Sequence, residues 1–271
     1  MNKINIIGVV CLLVFAIPAS AQELFTYTEP ASNMPAHSLG LRLSNNVLDE
    51  THLGQKTLQV LPELMWGVNK KLMVHAEGIM SNSGGSFKPI GVGTYAKYRF
   101  YSADNVHQHF RMAAFARASY NRGHIHYDEL EINGMNTGWE AGLIATQLLH
   151  KQAISASISF EQITDNGPGN EIHDGNAFRG INYTLSTGRL ILPTKYTSYN
   201  QTNFNLMLEI LGQYLPDNKK QYIDIAPSLQ FIFRSQTRID IGFRHQLSGN
   251  MERMATNSAL IRIEHLLFNF L

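Results

Sequence analysis

The chain has 271 residues, with 22 Lys and Arg against 21 Asp and Glu, and a single cysteine. So even a balance gives no electrostatic case for nucleic acid or an anionic surface, and one cysteine excludes a disulfide framework. Beyond the N-terminus no run reaches the roughly 18 apolar residues that a membrane helix needs, so any membrane crossing is made by strands.

Residues 1–21 read as a secretory signal peptide: Lys3 is the only charge, Ile4 to Ile17 is apolar, and Ala19-Ser20-Ala21 is a small-residue cleavage site before Gln22. Cys11 lies inside this stretch, so the mature chain is expected to hold no cysteine. Without Lys3 it carries 21 basic and 21 acidic residues. Residues 22–36 are expected to be a short periplasmic segment and residues 37–271 the folded domain.

Period-two alternation, the strand signal, recurs twelve times. In residues 37–45 Leu39, Leu41 and Leu43 oppose Arg42 and Ser44. In 56–66 Leu58, Val60, Leu64 and Trp66 oppose Gln59 and Glu63. In 72–81 Leu72, Val74, Ala76 and Met80 oppose His75 and Glu77. In 88–101 Ile90, Val92, Ala96, Tyr98 and Phe100 oppose Lys97 and Arg99. In 109–120 Phe110, Met112 and three alanines oppose Arg111 and Arg117, and in 137–149 Trp139, Ala141, Leu143 and Ala145 oppose Glu140 and Thr146.

In 153–161 Ile154, Ala156, Ile158 and Phe160 oppose three serines and Glu161. The eighth segment, 177–192, has open parity because Ile181, Tyr183 and Leu185 share a face with Arg179. In the ninth Phe204, Leu206, Leu208 and Ile210 oppose Asn203, Asn205 and Glu209. The tenth sets Ile223, Ile225, Leu229, Phe231 and Phe233 against Asp224, Ser228 and Gln230. The eleventh sets Ile239, Ile241 and Phe243 against Arg238, Asp240 and Arg244, and the last sets Ile261 and Ile263 against Arg262 and Glu264.

A soluble barrel and a membrane barrel share this pattern, but three features favour lipid outside. Connections alternate between long or Gly/Asn-rich (45–55, 82–87, 121–136, 164–176, 215–221, 248–256) and short (67–71, 102–108, 150–152, 234–237), with 193–202 as the exception. Aromatic residues gather near segment ends, as interfacial girdles require. Segments of about 9 to 14 residues suit tilted bilayer crossings, and an even strand number closes the edge. The expected fold is all-β, a transmembrane antiparallel up-and-down β-barrel of about twelve strands, with both termini periplasmic.

The polar face is then the lumen. Its bases are Arg42, Lys97, Arg99, Arg111, Arg117, Arg238, Arg244 and Arg262, and its acids Glu63, Glu77, Glu140, Glu161, Glu209, Asp224, Asp240 and Glu264. Segments four and five are basic, while six, seven, nine and ten are acidic, so a basic wall is expected to face an acidic one. A water-filled lumen would make this a channel for small polar or amphipathic solutes. Charges that meet would make it a salt-bridged, non-conducting structural or interaction barrel.

His124 and His126, two apart on an extended backbone beside Asp128 and Glu129, form a candidate divalent-metal pair, against the reading of a solvated loop. Ser119, Ser157 and Ser159 have no histidine at a neighbouring spacing on their own strands, so no catalytic group and no cofactor is expected.

The segment "PELMWGVNKKLMVHAEG", residues 62–78, resembles the strand, tight turn and strand of outer-membrane transporters of the phenol meta-pathway degradation type, and residues 197–213 have the same general character. That resemblance covers about a fifth of the chain and implies a solute-transport role without supplying site residues. The closing "LIRIEHLLFNFL" is expected to pair with the first strand. Resemblance to other outer-membrane barrels implies that the barrel-assembly machinery meets its aromatic end, although Leu271 follows Phe270 here. Outer-membrane lipid and a small solute complete the expected partners; nucleic acid is not among them, and the oligomeric state is open.

Overall fold

A computed structural model describes residues 25–50, 55–106, 108–125, 127–195 and 200–270, so the signal-peptide reading of residues 1–21 lies outside the described residues. Twelve strands follow in chain order: β1 (Ser38–Glu50), β2 (Gln55–Gly67), β3 (Leu72–Ser81), β4 (Lys88–Asn105), β5 (Gln108–Asn121), β6 (Thr137–Leu149), β7 (Gln152–Thr164), β8 (Arg179–Leu192), β9 (Asn203–Leu215), β10 (Lys220–Phe233), β11 (Thr237–Gly249) and β12 (Asn257–Leu267). Each pairs antiparallel with its sequence neighbours, and β12 pairs with β1 from Leu39↔Leu267 to Asp49↔Asn257, which closes the barrel. The apolar C-terminal stretch is therefore a seam strand, and among the described strands no ladder edge is left unpaired.

Alternation sorts the two faces as the sequence suggests. Leu41, Leu43, Leu64, Leu143, Ile158, Leu206, Leu208 and Ile261 are exposed on the outside, while Arg42, Lys97, Glu209, Asp224, Gln230 and Asp240 are buried within. Such an inversion is stable only where lipid meets the outer wall; in water a continuous apolar belt would aggregate. Aromatics mark both rims of the belt. Tyr101 packs on Phe110 and Phe204 on Phe231 near the short turns, and Trp139 packs on Phe160 near the longer loops.

Three details depart from the sequence reading. A register shift between Ile79 and Met80, opposite Gly91, turns Ile90 inward, where it packs with Leu61 and Ile79. The 215–221 connection shrinks to a four-residue turn, because β9 runs to Leu215 and β10 starts at Lys220. The open parity of β8 resolves with Leu185 outside and Ser186 buried within; Arg179 lies at the strand end, where it pairs with Asp217 of that turn.

The bore is filled at each end by chain that belongs to no strand. Near the short turns, Met34 joins Met65, Met73, Tyr95 and Leu266, and Ala31 joins Ala113 and Ile144. Residues 25–36 therefore run inside the barrel. Gly67 permits this passage: a Cβ there would lie 2.1 Å from the Pro35 carbonyl oxygen. Near the longer loops, Leu130 and Ile132 of the β5–β6 loop pack with Ile163, Ala177, Leu215, Tyr222 and Met251. Small apolar clusters at both ends thus bracket a polar middle.

Candidate functional site: a polar chamber in the bore

The N-terminal segment is held mainly by charge-assisted hydrogen bonds. Glu209 on β9 turns both carboxylate oxygens to it: Oε1 accepts the N–H groups of Thr26 and Tyr27, each at 2.9 Å, and Oε2 accepts the Thr28 N–H at 2.9 Å and hydroxyl at 2.7 Å. Three successive N–H groups converging on one carboxylate form an anion nest. Further along, the Ala31 N–H donates to Thr146 Oγ1 at 2.9 Å, and Arg111 Nη1 donates to Ser32 Oγ at 2.9 Å.

Glu29 is the segment's one acidic anchor. It lies 3.2 Å from Lys97 Nζ and 3.1 Å from Arg42 Nη1, and Lys97 also donates to the Pro30 carbonyl at 2.7 Å. Burial alone would raise the Glu29 pKa, yet the Lys97 ammonium and Arg42 guanidinium hold it well below the usual carboxylate range.

The β5–β6 loop closes the other end. Gln213 on β9 grips Leu130 twice, accepting its N–H at 3.0 Å and donating to its carbonyl at 2.8 Å. Glu129 pairs with Arg253 at 2.7 Å and Arg244 at 3.3 Å, and both arginines also hold Asp224. Asp128 pairs with Lys220 and accepts the Glu252 N–H at 2.8 Å. On the far wall the Asn133 amide nitrogen, oriented toward Glu77, donates to both carboxylate oxygens at 3.0 and 2.8 Å. Residues 130–133 therefore bridge the bore from β9 to β3.

Between these closures lies a chamber of about 250 Å³, with Tyr27, Thr28 and Glu29 at one end and residues 129–133 at the other. Of the residues expected in the lumen, Arg42, Glu63, Glu77, Arg117, Glu140, Glu161, Arg244 and Arg262 line it. Lys97, Glu209, Asp224, Arg238, Asp240 and Glu264 are buried in the bore around it. Arg99 and Arg111 lie toward the short turns, Arg99 donating to the Lys70 carbonyl and Arg111 pairing with Asp104 at 3.0 Å.

The expected pair of opposed charged walls does not form. Arg117 pairs with Glu140 on the adjacent strand at 3.5 Å, and its guanidinium lies over the Tyr95 ring. Lys97 and Glu209 are both satisfied by the N-terminal segment that passes between them. Cross-strand register explains the lateral pairing: Arg42 faces Glu63 and Glu264, and Glu264 faces Arg238. Ion-pair distances follow, 3.1 Å to Glu63 and 2.8 Å from Glu264 to each arginine.

Comparison with solved structures identifies the architecture. The NanC porin matches with a TM-score of 0.53 at 8% identity, over 85% of this chain and 98% of that one. An outer membrane channel from Pseudomonas putida F1 matches with a TM-score of 0.56 at 13% identity, over 90% and 100%. The fold is that of outer-membrane β-barrels. No family model and no curated protein matches the sequence.

Sequence reasoning missed Glu29, Glu131 and Arg253, because all three lie outside the strands, and it took Glu129 only as a carboxylate beside the His124 and His126 pair. One signal was available for the loop: in "DELEIN" Leu130 and Ile132 alternate with acids as a strand does, which a solvated loop does not need. For the metal pair, His126 lies outside the described residues, and among those described no group of three or more metal-holding side chains gathers. Asp128 and Glu129 are engaged by Lys220, Arg244 and Arg253.

Proposed function

We propose that the protein is an outer-membrane channel that passes small polar or amphipathic solutes passively and rests with its bore closed. The chamber carries this reading. A space of about 250 Å³ in the bore, lined largely by charged and polar side chains, is a place where water and a polar solute can be held, which a lumen filled by ion pairs alone would not leave. Solved neighbours described as a porin and an outer membrane channel support the same direction. The likeness of residues 62–78 to transporters of the phenol meta-pathway degradation type supports transport, while the charged lining favours polar solutes over aromatic hydrocarbons. The reading places both termini on the periplasmic side after export, with the β12 end offered to the assembly machinery.

A second reading, a non-conducting structural or interaction barrel, is favoured by the number of bonds that Glu209 alone gives the N-terminal segment. Planar-bilayer recording separates the two. The full chain should open only in rare, brief events as the segment leaves the wall, and a chain lacking residues 25–34 should conduct in sustained discrete steps while keeping heat-modifiable gel migration. Silence from both, with the barrel intact, overturns the channel reading.

A further inference from the structure

Most charges that line the chamber are consumed by one another: Arg42, Arg117 and Arg244 each hold a carboxylate at ion-pair distance. Four are not. Among the described residues Glu77, Glu131 and Glu161 have no basic partner at that distance, and neither does the Arg262 guanidinium, which donates only to Ser44 Oγ at 3.0 Å. Glu77 is met by the Asn133 amide and Glu161 by the Gln213 amide, both neutral donors. Among the described residues the Glu131 side chain has no hydrogen-bond partner, and burial, followed by the charge of Glu129, pushes its pKa up to about 7.

These three carboxylates are arranged around one space. Gln213 holds Leu130 and Glu161 together at one wall, Asn133 reaches Glu77 at the other, and Glu131 lies between Leu130 and Asn133 on the bridging segment. A small cation in the chamber therefore meets acceptors from β3, β7 and the loop. An anion would meet one guanidinium against three carboxylates.

We propose that the chamber is a binding site for a small organic cation, a primary amine or diamine, held by Glu77, Glu131 and Glu161. This deepens the channel reading by giving its solute a charge. Size agrees: about 250 Å³ corresponds to roughly eight waters at ~30 Å³ each, room for a solute of the order of 1,4-diaminobutane. Desolvated carboxylates favour an ammonium that brings three donors over a neutral solute of equal size. Divalent metal is disfavoured, since no cluster of three metal-holding side chains forms among the described residues.

Equilibrium dialysis of the full-length purified protein against radiolabelled 1,4-diaminobutane tests this, with succinate and glycerol as anionic and neutral probes. The diamine should bind at one site per barrel and the others at least tenfold more weakly. Glu131→Gln should weaken diamine binding at least tenfold and Glu131→Asp should largely restore it, with heat-modifiable migration unchanged in both. Equal binding of succinate, no binding by the wild-type chain, or no effect of Glu131→Gln overturns the proposal. Failure here and failure of the channel reading are distinct outcomes. Steps in the bilayer without amine binding retain the channel and remove this site; amine binding without conductance in either chain retains the site and removes the channel.

Discussion

Glu209 Oε2 accepts both the backbone N–H and the hydroxyl of Thr28, at 2.9 and 2.7 Å, across a sequence separation of 181 residues. A single strand side chain thereby fixes a segment that alternation could not place. Glu209→Ala leaves four donors of the segment without their acceptor, at about 1–3 kcal/mol for each one that stays buried. Hydrogen exchange at Thr26, Tyr27 and Thr28 should quicken at least tenfold, while β9 and β10 amides stay protected. Unchanged exchange in the segment would show that Glu209 does not hold it.

Glu29, Lys97 and Arg42 form one buried group, and removing one member of such a group strands the others. Glu29→Gln should cost about 3 kcal/mol, and Glu29→Gln with Lys97→Met appreciably less than the two single changes combined. Denaturant titration of the refolded barrel measures the cycle. Simple additivity would show that the two charges do not depend on each other.

Protonation of Glu131 should set how firmly the β5–β6 loop is docked. Its pKa is about 7 against an ordinary 4.5, from burial first and then Glu129, with Arg244, Arg253 and Arg117 opposing. A raised carboxyl pKa means that folding favours the protonated form. The docking stability is therefore fully present below about 4.5 and is lost as pH climbs through about 7. After correction for intrinsic rates, the Leu130 amide, which donates to Gln213, should be better protected at pH 5.5 than at pH 8. Glu131→Gln should remove that difference. Greater protection at pH 8 would reverse the sign and refute the account of the loop.

Space inside the barrel is also specified by an absent side chain. A Cβ at Gly242 would lie 2.8 Å from the Tyr27 ring, so Gly242→Val should displace Tyr27 and loosen the segment without breaking β11. Hydrogen exchange at the Tyr27 amide, which donates to Glu209, is expected to quicken while the β11 amides stay protected. Equal exchange in both proteins would place the ring elsewhere.

The barrel was legible in the sequence because period two and the polarity of each face are local properties: Leu41 against Arg42 and Leu206 against Glu209 already say which side meets lipid. Even the C-terminal seam followed, since a closed sheet needs a partner for its first strand. Parity failed where a backbone irregularity intervenes, as when the register shift opposite Gly91 turns Ile90 inward. The contents of the bore were not legible. Glu29 and Glu131 are single acids in short irregular stretches, and what they meet depends on the diameter of the barrel and on residues 68 and more positions away, as with Glu29 and Lys97. Opposed charged walls were expected because strand order alone was counted; neighbouring strands bring Arg117 to Glu140 and Arg42 to Glu63 first.

In the proposed channel residues 25–36 are the closure. Thr28 Oγ1 and Ser186 Oγ lie 2.9 Å apart, so cysteines at both positions are placed to form a disulfide between segment and wall. With Cys11 replaced or removed, proteoliposomes carrying Thr28→Cys/Ser186→Cys should take up labelled 1,4-diaminobutane or glycerol slowly when oxidised and many-fold faster after reduction. Equal uptake in the two states would contradict the claim that this segment is the closure.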